Sequence, residues 1–230
     1  MGDIAEKIYS IAVDGPSGAG KSSLAKAIAA ELHILYVDTG AIYRTIGCYA
    51  RRKGVETADT EAVIALLPEV EIGMCYDAQG LQHMLLHGED VTEEIRLPEM
   101  SLYASAVSAI PEVRAFLLEM QRDFARKSSV IMDGRDIGTV VLPHADVKIF
   151  LKADVEVRAR RREIELQERG TPRPYKQVLE EMRQRDYNDT HRSAAPLRAA
   201  EDAVIVDTSD LDFQQSKEKL LEIIREKVGL

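Results

Sequence analysis

Short apolar runs, rich in β-branched residues, alternate along the chain with longer amphipathic stretches. The short runs are residues 8–13, 34–37, 129–133, 147–151 and 203–207. Each is too short for a helix and too continuously apolar for a strand with one face in water, which predicts parallel strands covered on both sides. Helical patterns occupy Lys21–Leu32, 154–168, 176–189 and 213–227. This alternation predicts an α/β fold in which helices flank a doubly wound parallel sheet.

One stretch departs from this alternation. Residues 70–76 and 81–86 are apolar runs separated by Asp77-Ala-Gln-Gly80, which has the composition of a turn. Residues 87–90 (His-Gly-Glu-Asp) predict a second turn. We therefore expect a small antiparallel insertion over about residues 66–100. The sequence has no internal repeat and no long linker, so we expect a single domain over residues 1–230.

Composition limits the class of protein. The 230 residues are 45% hydrophobic and 30% charged, as in ordinary globular proteins, and no apolar run is long enough to span a membrane. The first ten residues, MGDIAEKIYS, lack the basic and apolar segments of a secretion signal. Cys48 and Cys75 stand outside any ligand cluster and are expected to be free thiols. We therefore expect a cytoplasmic protein with no membrane partner.

The charge is unevenly distributed. The formal net charge of −9 disfavours binding to nucleic-acid polymers. Residues 151–200 nevertheless carry 12 basic against 9 acidic residues, and nearly all of the basic ones are arginine. A guanidinium binds phosphate through two parallel hydrogen bonds, so this choice of cation indicates a phosphorylated ligand. A solvated helix surface with i,i+4 ion pairs fits the same composition and stays open as the alternative.

A glycine-rich segment between the first strand and the first helix fits the pattern G-x-x-x-x-G-K-[ST]. In that motif, backbone N–H groups and a helix N-terminus surround phosphate groups. Lys21 is expected to reach the β- and γ-phosphates, and Ser22 to ligate Mg²⁺. Asp133, at a strand end, is a second candidate to hold the metal, directly or through water. The residues expected to bind ATP here are Gly15, Pro16, Ser17, Gly18, Ala19, Gly20, Lys21, Ser22 and Ser23.

Further residues indicate a second phosphate-binding region. Asp38-Thr-Gly-Ala-Ile-Tyr-Arg44 follows a strand and leads into a helix, and Arg135 stands at another strand end, facing the same cleft. Arg185, Asp189 and Arg192 are spaced to share one helix face. Arg158, Arg161 and Arg162 are spaced in the same way on another helix.

The acceptor itself is expected to be a phosphate. None of the histidines stands in a motif where a general base would act. A phosphate acceptor needs none, because its second pKa of about 6 leaves the attacking oxygen ionised at neutral pH. Catalysis then reduces to alignment and charge neutralisation.

With these motifs in view, the chain resembles the bacterial cytidylate kinase family of the nucleoside monophosphate kinase group. The similarity runs from about Ile8 to Val228 and is most specific in DGPSGAGKSS, DTGAIYR, DGRDIGTVV from Asp133 and RDYNDTHRSAAPL from Arg185. It implies the P-loop nucleoside monophosphate kinase fold, with the insertion at 66–100 in the monophosphate-binding region and a short helical lid at about 155–174. It also implies direct in-line transfer of the γ-phosphoryl group of ATP to CMP or dCMP, with Mg²⁺.

The resemblance further implies roles for single residues. Ser105, Arg114 and Asp136 match positions that read the cytosine ring, and Thr39 and Tyr43 belong to the motif at the monophosphate. Arg44, Arg135 and Arg192 match the monophosphate grip, while Arg185 and Asp189 match positions near the sugar hydroxyls. Arg158, Arg161 and Arg162 match lid arginines that close over ATP. Thr39 replaces a serine of many members, and some members have glycine in place of Ser22. The catalytic set so implied is Lys21, Arg135, Arg158, Arg162 and Arg192.

Other functions stay open from the sequence. The chain could phosphorylate a different nucleoside monophosphate, UMP above all, or be a P-loop switch that binds nucleotide to control a partner. A nucleic-acid module fits poorly, because there is no tryptophan and no series of aromatic residues for base stacking. We expect a monomer, as most members of this family are.

Overall fold

The computed structural model describes residues 8–97 and 99–230. Five strands, β1 (Ser10–Asp14), β2 (Leu35–Asp38), β6 (Val130–Gly134), β7 (Val147–Lys152) and β8 (Val204–Asp207), form one sheet. Its order is β2-β6-β1-β7-β8, and every neighbouring pair is parallel. All five predicted strands are present within one or two residues at each end. The predicted α/β class is confirmed.

Both faces of the sheet are buried, which explains the continuous apolar runs. In β1, Ile11 and Val13 pack into one core, with Leu24 and Ile28 from a helix on that side. Ala12, between them, belongs to a second core on the opposite face. Successive side chains of a strand point to opposite faces, so a strand covered on both sides is apolar at consecutive positions, except near its ends.

Helices surround the sheet. They are α1 (Lys21–Leu32), α2 (Thr39–Arg52), α3 (Thr60–Leu66), α4 (Met100–Val107), α5 (Pro111–Lys127), α6 (Val155–Glu168), α7 (Tyr175–His191) and α8 (Phe213–Val228). The predicted helix at residues 21–32 has the predicted ends, and α6, α7 and α8 deviate by one or two residues. The sequence patterns did not predict α3, α4 or α5. Helices α6 and α7 share a small core of their own that contains Leu166 and Met182.

The predicted insertion is a separate three-stranded antiparallel sheet of β3 (Ile72–Tyr76), β4 (Gln82–Leu86) and β5 (Glu89–Asp90). The prediction of a turn over residues 87–90 is wrong in its second half, because Glu89 and Asp90 pair with β4. His87 and Gly88, with φ of 51° and 80°, make the turn alone. Positive φ at both residues is typical of tight hairpin turns, which leave the next residue free to pair.

Parallel strands place their carboxyl ends along one edge of the sheet, where ligands bind in open α/β folds. β1, β2 and β6 end there at Asp14, Asp38 and Gly134. Within the described residues, no helix is both long and apolar enough to cross a membrane. The first seven residues of the segment MGDIAEKIYS, on which the secretion argument depended, lie outside the described part of the chain.

Candidate active site

The glycine-rich loop joins β1 to α1 at the carboxyl edge of the sheet. Gly15, Gly18 and Gly20 have φ of 149°, 75° and 88°, a range that residues with a side chain rarely adopt. A Cβ on Gly15 would lie 2.2 Å from the carbonyl oxygen of Leu151, so no larger residue fits. No side chain caps the N-terminus of α1, and its first turn holds no acidic residue. The loop therefore presents free helix N–H groups and a positive dipole end to an anion.

Lys21 is buried at the start of α1, and its Nζ donates a hydrogen bond to the carbonyl oxygen of Pro16 at 2.7 Å. Burial, and then the charge of Arg135, lower the pKa of Lys21 well below its usual range. The charges of Asp133 and Asp14 oppose that shift. An anionic ligand in the loop would favour the charged ammonium in the same way.

Ser22 and Asp133, the two predicted metal ligands, are in hydrogen-bond contact. Ser22 Oγ donates a hydrogen bond to Asp133 Oδ2 at 2.8 Å, and the hydroxyl of Tyr36 donates to Asp133 Oδ1 at 2.8 Å. Burial, and then the charge of Asp38, raise the pKa of Asp133. The described residues contain no cluster of three His, Cys, Asp or Glu side chains that could hold a metal. The pair Ser22 and Asp133 still fits Mg²⁺, because this ion commonly uses one or two protein oxygens and completes its coordination with substrate phosphates and water.

The DTGAIYR motif turns from β2 into α2 at the same edge. Asp38 caps α2 by accepting a hydrogen bond from Ala41 N, and Arg44 Nη2 donates to Asp38 Oδ2 at 2.8 Å. Thr39 Oγ1 donates to the carbonyl oxygen of Asp133 at 2.8 Å, which ties this motif to β6. The guanidinium of Arg44 is thereby held beside the start of α2.

Arg114 and Asp136, both predicted to read the base, form a buried ion pair. Arg192 Nη2 lies 3.5 Å from the other oxygen of Asp136. Burial raises the pKa of Asp136, and the charges of Arg114 and Arg192 oppose the shift. The Arg114 guanidinium also lies 5.6 Å from the ring centroid of Tyr43. Ser105 is half-buried on α4, with its carbonyl oxygen bonded to the Ser108 hydroxyl.

The predicted arrangement of Arg185, Asp189 and Arg192 on one helix face is wrong for Arg192. Helix α7 ends at His191, and Arg192 is extended, with φ −62° and ψ 143°. Its Nε donates to the carbonyl oxygen of Ala195. Asp189 instead accepts a hydrogen bond from Arg135 Nε at 2.7 Å. Burial, and then the charge of Arg135, lower the pKa of Arg185 to about 10, and Asp189 partly offsets this.

Three arginines of this region have unsatisfied donors. Within residues 8–97 and 99–230, the buried atoms Arg44 Nε, Arg185 Nε and Arg192 Nη2 have no hydrogen-bond partner. Buried polar atoms are almost always paired in folded proteins, because an unpaired one costs about 1–3 kcal/mol. Within the same residues, Arg192 Nη2 has only the ionic contact with Asp136. Donors without a hydrogen bond on three cations beside one cleft indicate that an anionic ligand completes the site.

The three predicted lid arginines turn to three different partners. Arg158 is buried and donates to the carbonyl oxygen of Ser17, inside the phosphate loop, at 2.9 Å. Arg161 donates instead to the carbonyl oxygen of Thr208 at 2.7 Å. Arg162 pairs with Glu165 at 2.7 Å. The structure therefore brings Arg158 alone of these three into hydrogen-bond contact with the loop.

Residues that the motifs did not single out complete the site. Asp186 holds Arg158 with two hydrogen bonds, of 3.2 and 2.6 Å, and Tyr36 holds Asp133. Gln82 of the insertion bonds the backbone of Asp38. Asp14 bonds the backbone after Asp136. Asp14 and Asp186 lie inside the motifs that carry the family resemblance, and this position in the sequence could have pointed to them. Gln82 and Tyr36 lie outside those motifs, so no sequence pattern indicated them.

Comparison with known proteins adds independent information. A family model described as cytidylate kinase matches residues 11–226. The cytidylate kinase of Caldicellulosiruptor saccharolyticus is 47% identical over 223 residues, which cover 97% of this chain and 98% of that protein. The cytidylate kinase of Carboxydothermus hydrogenoformans is 46% identical over 217 residues, 94% of this chain and 97% of that protein. Among solved structures, an uncharacterized protein from Eubacterium ventriosum has a TM-score of 0.52 at 13% identity, over 94% of this chain and 98% of that one, a likeness of fold alone.

Proposed function

The chain belongs to the cytidylate kinase family, and from that premise we propose that it transfers the γ-phosphoryl group of ATP to CMP or dCMP. The products are ADP and CDP or dCDP. The observation that carries this proposal is the set of unpaired arginine donors, Arg44, Arg185 and Arg192, beside a glycine-rich phosphate loop. The cleft thereby offers donors for two phosphorylated ligands, as phosphoryl transfer between nucleotides requires.

The loop of Gly15–Ser23 is proposed to bind the triphosphate of ATP. Its backbone N–H groups and the start of α1 face the phosphates, and the Lys21 ammonium exchanges the Pro16 carbonyl for β- and γ-phosphate oxygens. Arg158, already bonded to Ser17, neutralises charge from the lid side. Arg161 and Arg162 are proposed to join ATP when the lid at about 155–174 closes, because closure excludes the water that would otherwise hydrolyse ATP.

The acceptor is proposed to lie between α2, α5 and the end of β6. Arg44, Arg135 and Arg192 bind its phosphate, with Thr39 and Tyr43 beside them, and Arg185 and Asp189 face the sugar. An ionised oxygen of that phosphate attacks the γ-phosphorus in line while the bond to the bridging oxygen of ADP breaks. No general base takes part, because this oxygen is already deprotonated at neutral pH.

Recognition of cytosine is proposed for Ser105, Arg114 and Asp136. Asp136 accepts a hydrogen bond from the exocyclic amine, and Arg114 donates to the ring acceptors. Uracil carries an oxygen in place of that amine and would face the Asp136 carboxylate with an acceptor. A site built to bond a polar group rejects an analogue that lacks it by several orders of magnitude.

Magnesium is proposed as the cofactor, held by Ser22 and by Asp133, directly or through water. When bound, it neutralises charge on the transferred phosphate. The fit rests on the 2.8 Å contact between two oxygen ligands beside the loop. A monomer in the cytoplasm stays our prediction, and the free thiols of Cys48 and Cys75 are consistent with a reducing compartment.

Steady-state assays with ATP and each of CMP, dCMP, UMP and AMP test this function. We expect turnover with CMP and dCMP and a kcat/KM for UMP lower by roughly 10⁴-fold. Comparable efficiency on UMP would show that Asp136 does not read the amine. Hydrolysis of ATP that no added monophosphate accelerates would indicate a nucleotide-binding switch instead.

A further inference from the structure

Asp14 is a buried carboxylate that has no role in the chemistry described above. It ends β1, directly before the first glycine of the phosphate loop, and only 4% of the residue is exposed. Burial raises its pKa to about 6, against the opposing effect of the two backbone N–H groups that it binds. Burying a carboxylate costs free energy, so the contacts of Asp14 indicate which structural role offsets that cost.

Asp14 binds the start of the turn that follows β6. Its Oδ1 accepts a hydrogen bond from Ile137 N at 2.8 Å, and its Oδ2 accepts one from Gly138 N at 2.7 Å. The approach is close, because a Cβ on Gly138 would lie 3.4 Å from Asp14 Oδ2 and 3.2 Å from Lys148 Cδ. The two segments are more than 120 residues apart in sequence.

The turn that Asp14 binds is a single wide helical turn, Ile137–Val141, and the residue at its N-cap position is Asp136. An aspartate at this position ordinarily caps its own helix, by accepting a hydrogen bond from an N–H group of the first turn. Asp136 makes no such bond. Its carboxylate points instead to Arg114 and Arg192.

These contacts have one common explanation. Asp14 occupies the N–H groups of Ile137 and Gly138, and the second of these is one that the Asp136 side chain would otherwise cap. We propose that Asp14 is a specificity-positioning residue, which caps this turn in place of Asp136 and so keeps the Asp136 carboxylate facing the nucleobase. The inference rests on the proposed cytosine-reading role of Asp136. It adds that selectivity for cytosine depends on a residue that does not touch the base.

The test compares Asp14→Asn with the unmodified protein, by calorimetric binding of CMP and of UMP and by kcat/KM for both. Asparagine keeps the size but offers a single acceptor oxygen, so one N–H of the turn is released for Asp136 to cap. We expect the preference for CMP over UMP to fall roughly ten- to hundredfold, the effect of losing a hydrogen bond to a charged group. Asp146→Asn is the matched control. Asp146 also accepts a hydrogen bond from a backbone N–H of β1, Ser10 N, but at the opposite end of the strand, and this variant should keep the preference.

A general structural role would give a different result. If Asp14→Asn lowers thermal stability, or weakens the binding of CMP and UMP equally, and the preference for CMP stays intact, the proposal is overturned. Should that variant not fold, Asp14→Ser, which also leaves one acceptor, is measured in the same way. In an Asp136→Ala background, Asp14→Asn should change the preference no further, and an additive loss would also overturn the proposal. If the unmodified protein does not phosphorylate CMP at all, the proposed function has failed, whatever Asp14 does.

Discussion

The ammonium group of Lys21 is bonded to a protein carbonyl and is shielded from water. Its hydrogen bond to Pro16 O holds the side chain inside the loop, and burial depresses its pKa. A phosphate ligand would replace the carbonyl and favour the charged form of the ammonium. Lys21 is therefore already positioned before ATP binds, which lowers the cost of ordering it.

We predict that Lys21→Ala lowers kcat by roughly 10²- to 10³-fold, the usual effect of removing one group that stabilises transition-state charge. Circular dichroism should show a folded protein, because the side chain contributes no part of the apolar core. Lys219→Ala, at an exposed position of α8, is the control and should retain full activity. A Lys21→Ala enzyme with near-normal turnover would remove Lys21 from the proposed mechanism.

Single residues differ in how far the sequence could assign them. Arg135 and Asp136 directly follow a strand end, and Arg44 lies in the second turn of the helix that follows another. Parallel strands bring such positions to one edge, so their grouping was predictable. Arg192 was misplaced because the i,i+7 argument assumed that α7 continues past His191. Asp14 was not assigned, since an acid before a glycine-rich loop has many possible partners. Its actual partners depend on the path of the chain after β6.

At the scale of elements, the insertion is attached to the sheet through side chains. Strand β2 is an edge strand, and Tyr76 and Gln82, which are cross-strand partners in the insertion, bond its backbone. The Tyr76 hydroxyl donates to Tyr36 O at 2.8 Å. Gln82 Oε1 accepts a hydrogen bond from Asp38 N at 2.7 Å, and its Nε2 donates to Asp38 O at 3.3 Å. The insertion is thereby connected to the residue that pairs with Arg44.

We predict that Gln82→Met raises KM for CMP roughly three- to tenfold and leaves KM for ATP unchanged, because Asp38 and hence Arg44 lose their support. Tyr76→Phe is the matched variant. It removes the neighbouring hydrogen bond, two residues further from Arg44, and should lower stability without changing KM for CMP. An unchanged KM for CMP in both variants would mean that the insertion contributes stability alone.

The pair α6 and α7 is fastened to the phosphate loop near the start of α6. Arg158 joins Ser17 to Asp186, and a Cβ on Gly18 would lie 2.7 Å from Met182 Cε. Any opening of the lid would therefore begin beyond Arg158. Helices α4 and α5, which the sequence patterns did not predict, lie between the insertion and β6. The sequence analysis identified no short apolar run in that segment from which to assign elements. Helix α5 does carry a proline at its first position, a signal for a helix start that could have been used.

At the scale of the molecule, the phosphate of CMP should contribute most of the ligand-induced stability, because it satisfies donors that otherwise remain unpaired. A ligand at a hundred times its Kd stabilises a protein by about 2.7 kcal/mol. For a domain of this size, that corresponds to a rise in Tm of roughly 5–10 °C. We predict this rise with CMP and a much smaller one with cytidine at the same concentration, measured by differential scanning calorimetry. Equal rises would show that the arginines do not bind the phosphate.

The structure also shows where the arginines of the basic stretch, residues 151–200, lie in a protein whose net charge is −9. Arg158 and Arg161 donate hydrogen bonds to the backbone carbonyl oxygens of Ser17 and Thr208, and Arg185 and Arg192 lie beside Asp189 and Asp136. These four arginines of the basic stretch are therefore turned inward. The exposed arginines Arg160, Arg169 and Arg183 each pair with a glutamate, which leaves less positive charge on the surface for a nucleic-acid polymer.

The sequence by itself determined the phosphate loop, the buried strands and the two-substrate character of the cleft. These depend on local rules, namely glycine conformations, the continuous apolar pattern of covered strands and the edge position of strand ends. Only the tertiary structure decided that Asp14 caps the turn after Asp136, that Gln82 supports Asp38 and that Arg161 faces the loop before α8. Those contacts join residues more than 40 positions apart, and the order of the strands sets which of them meet.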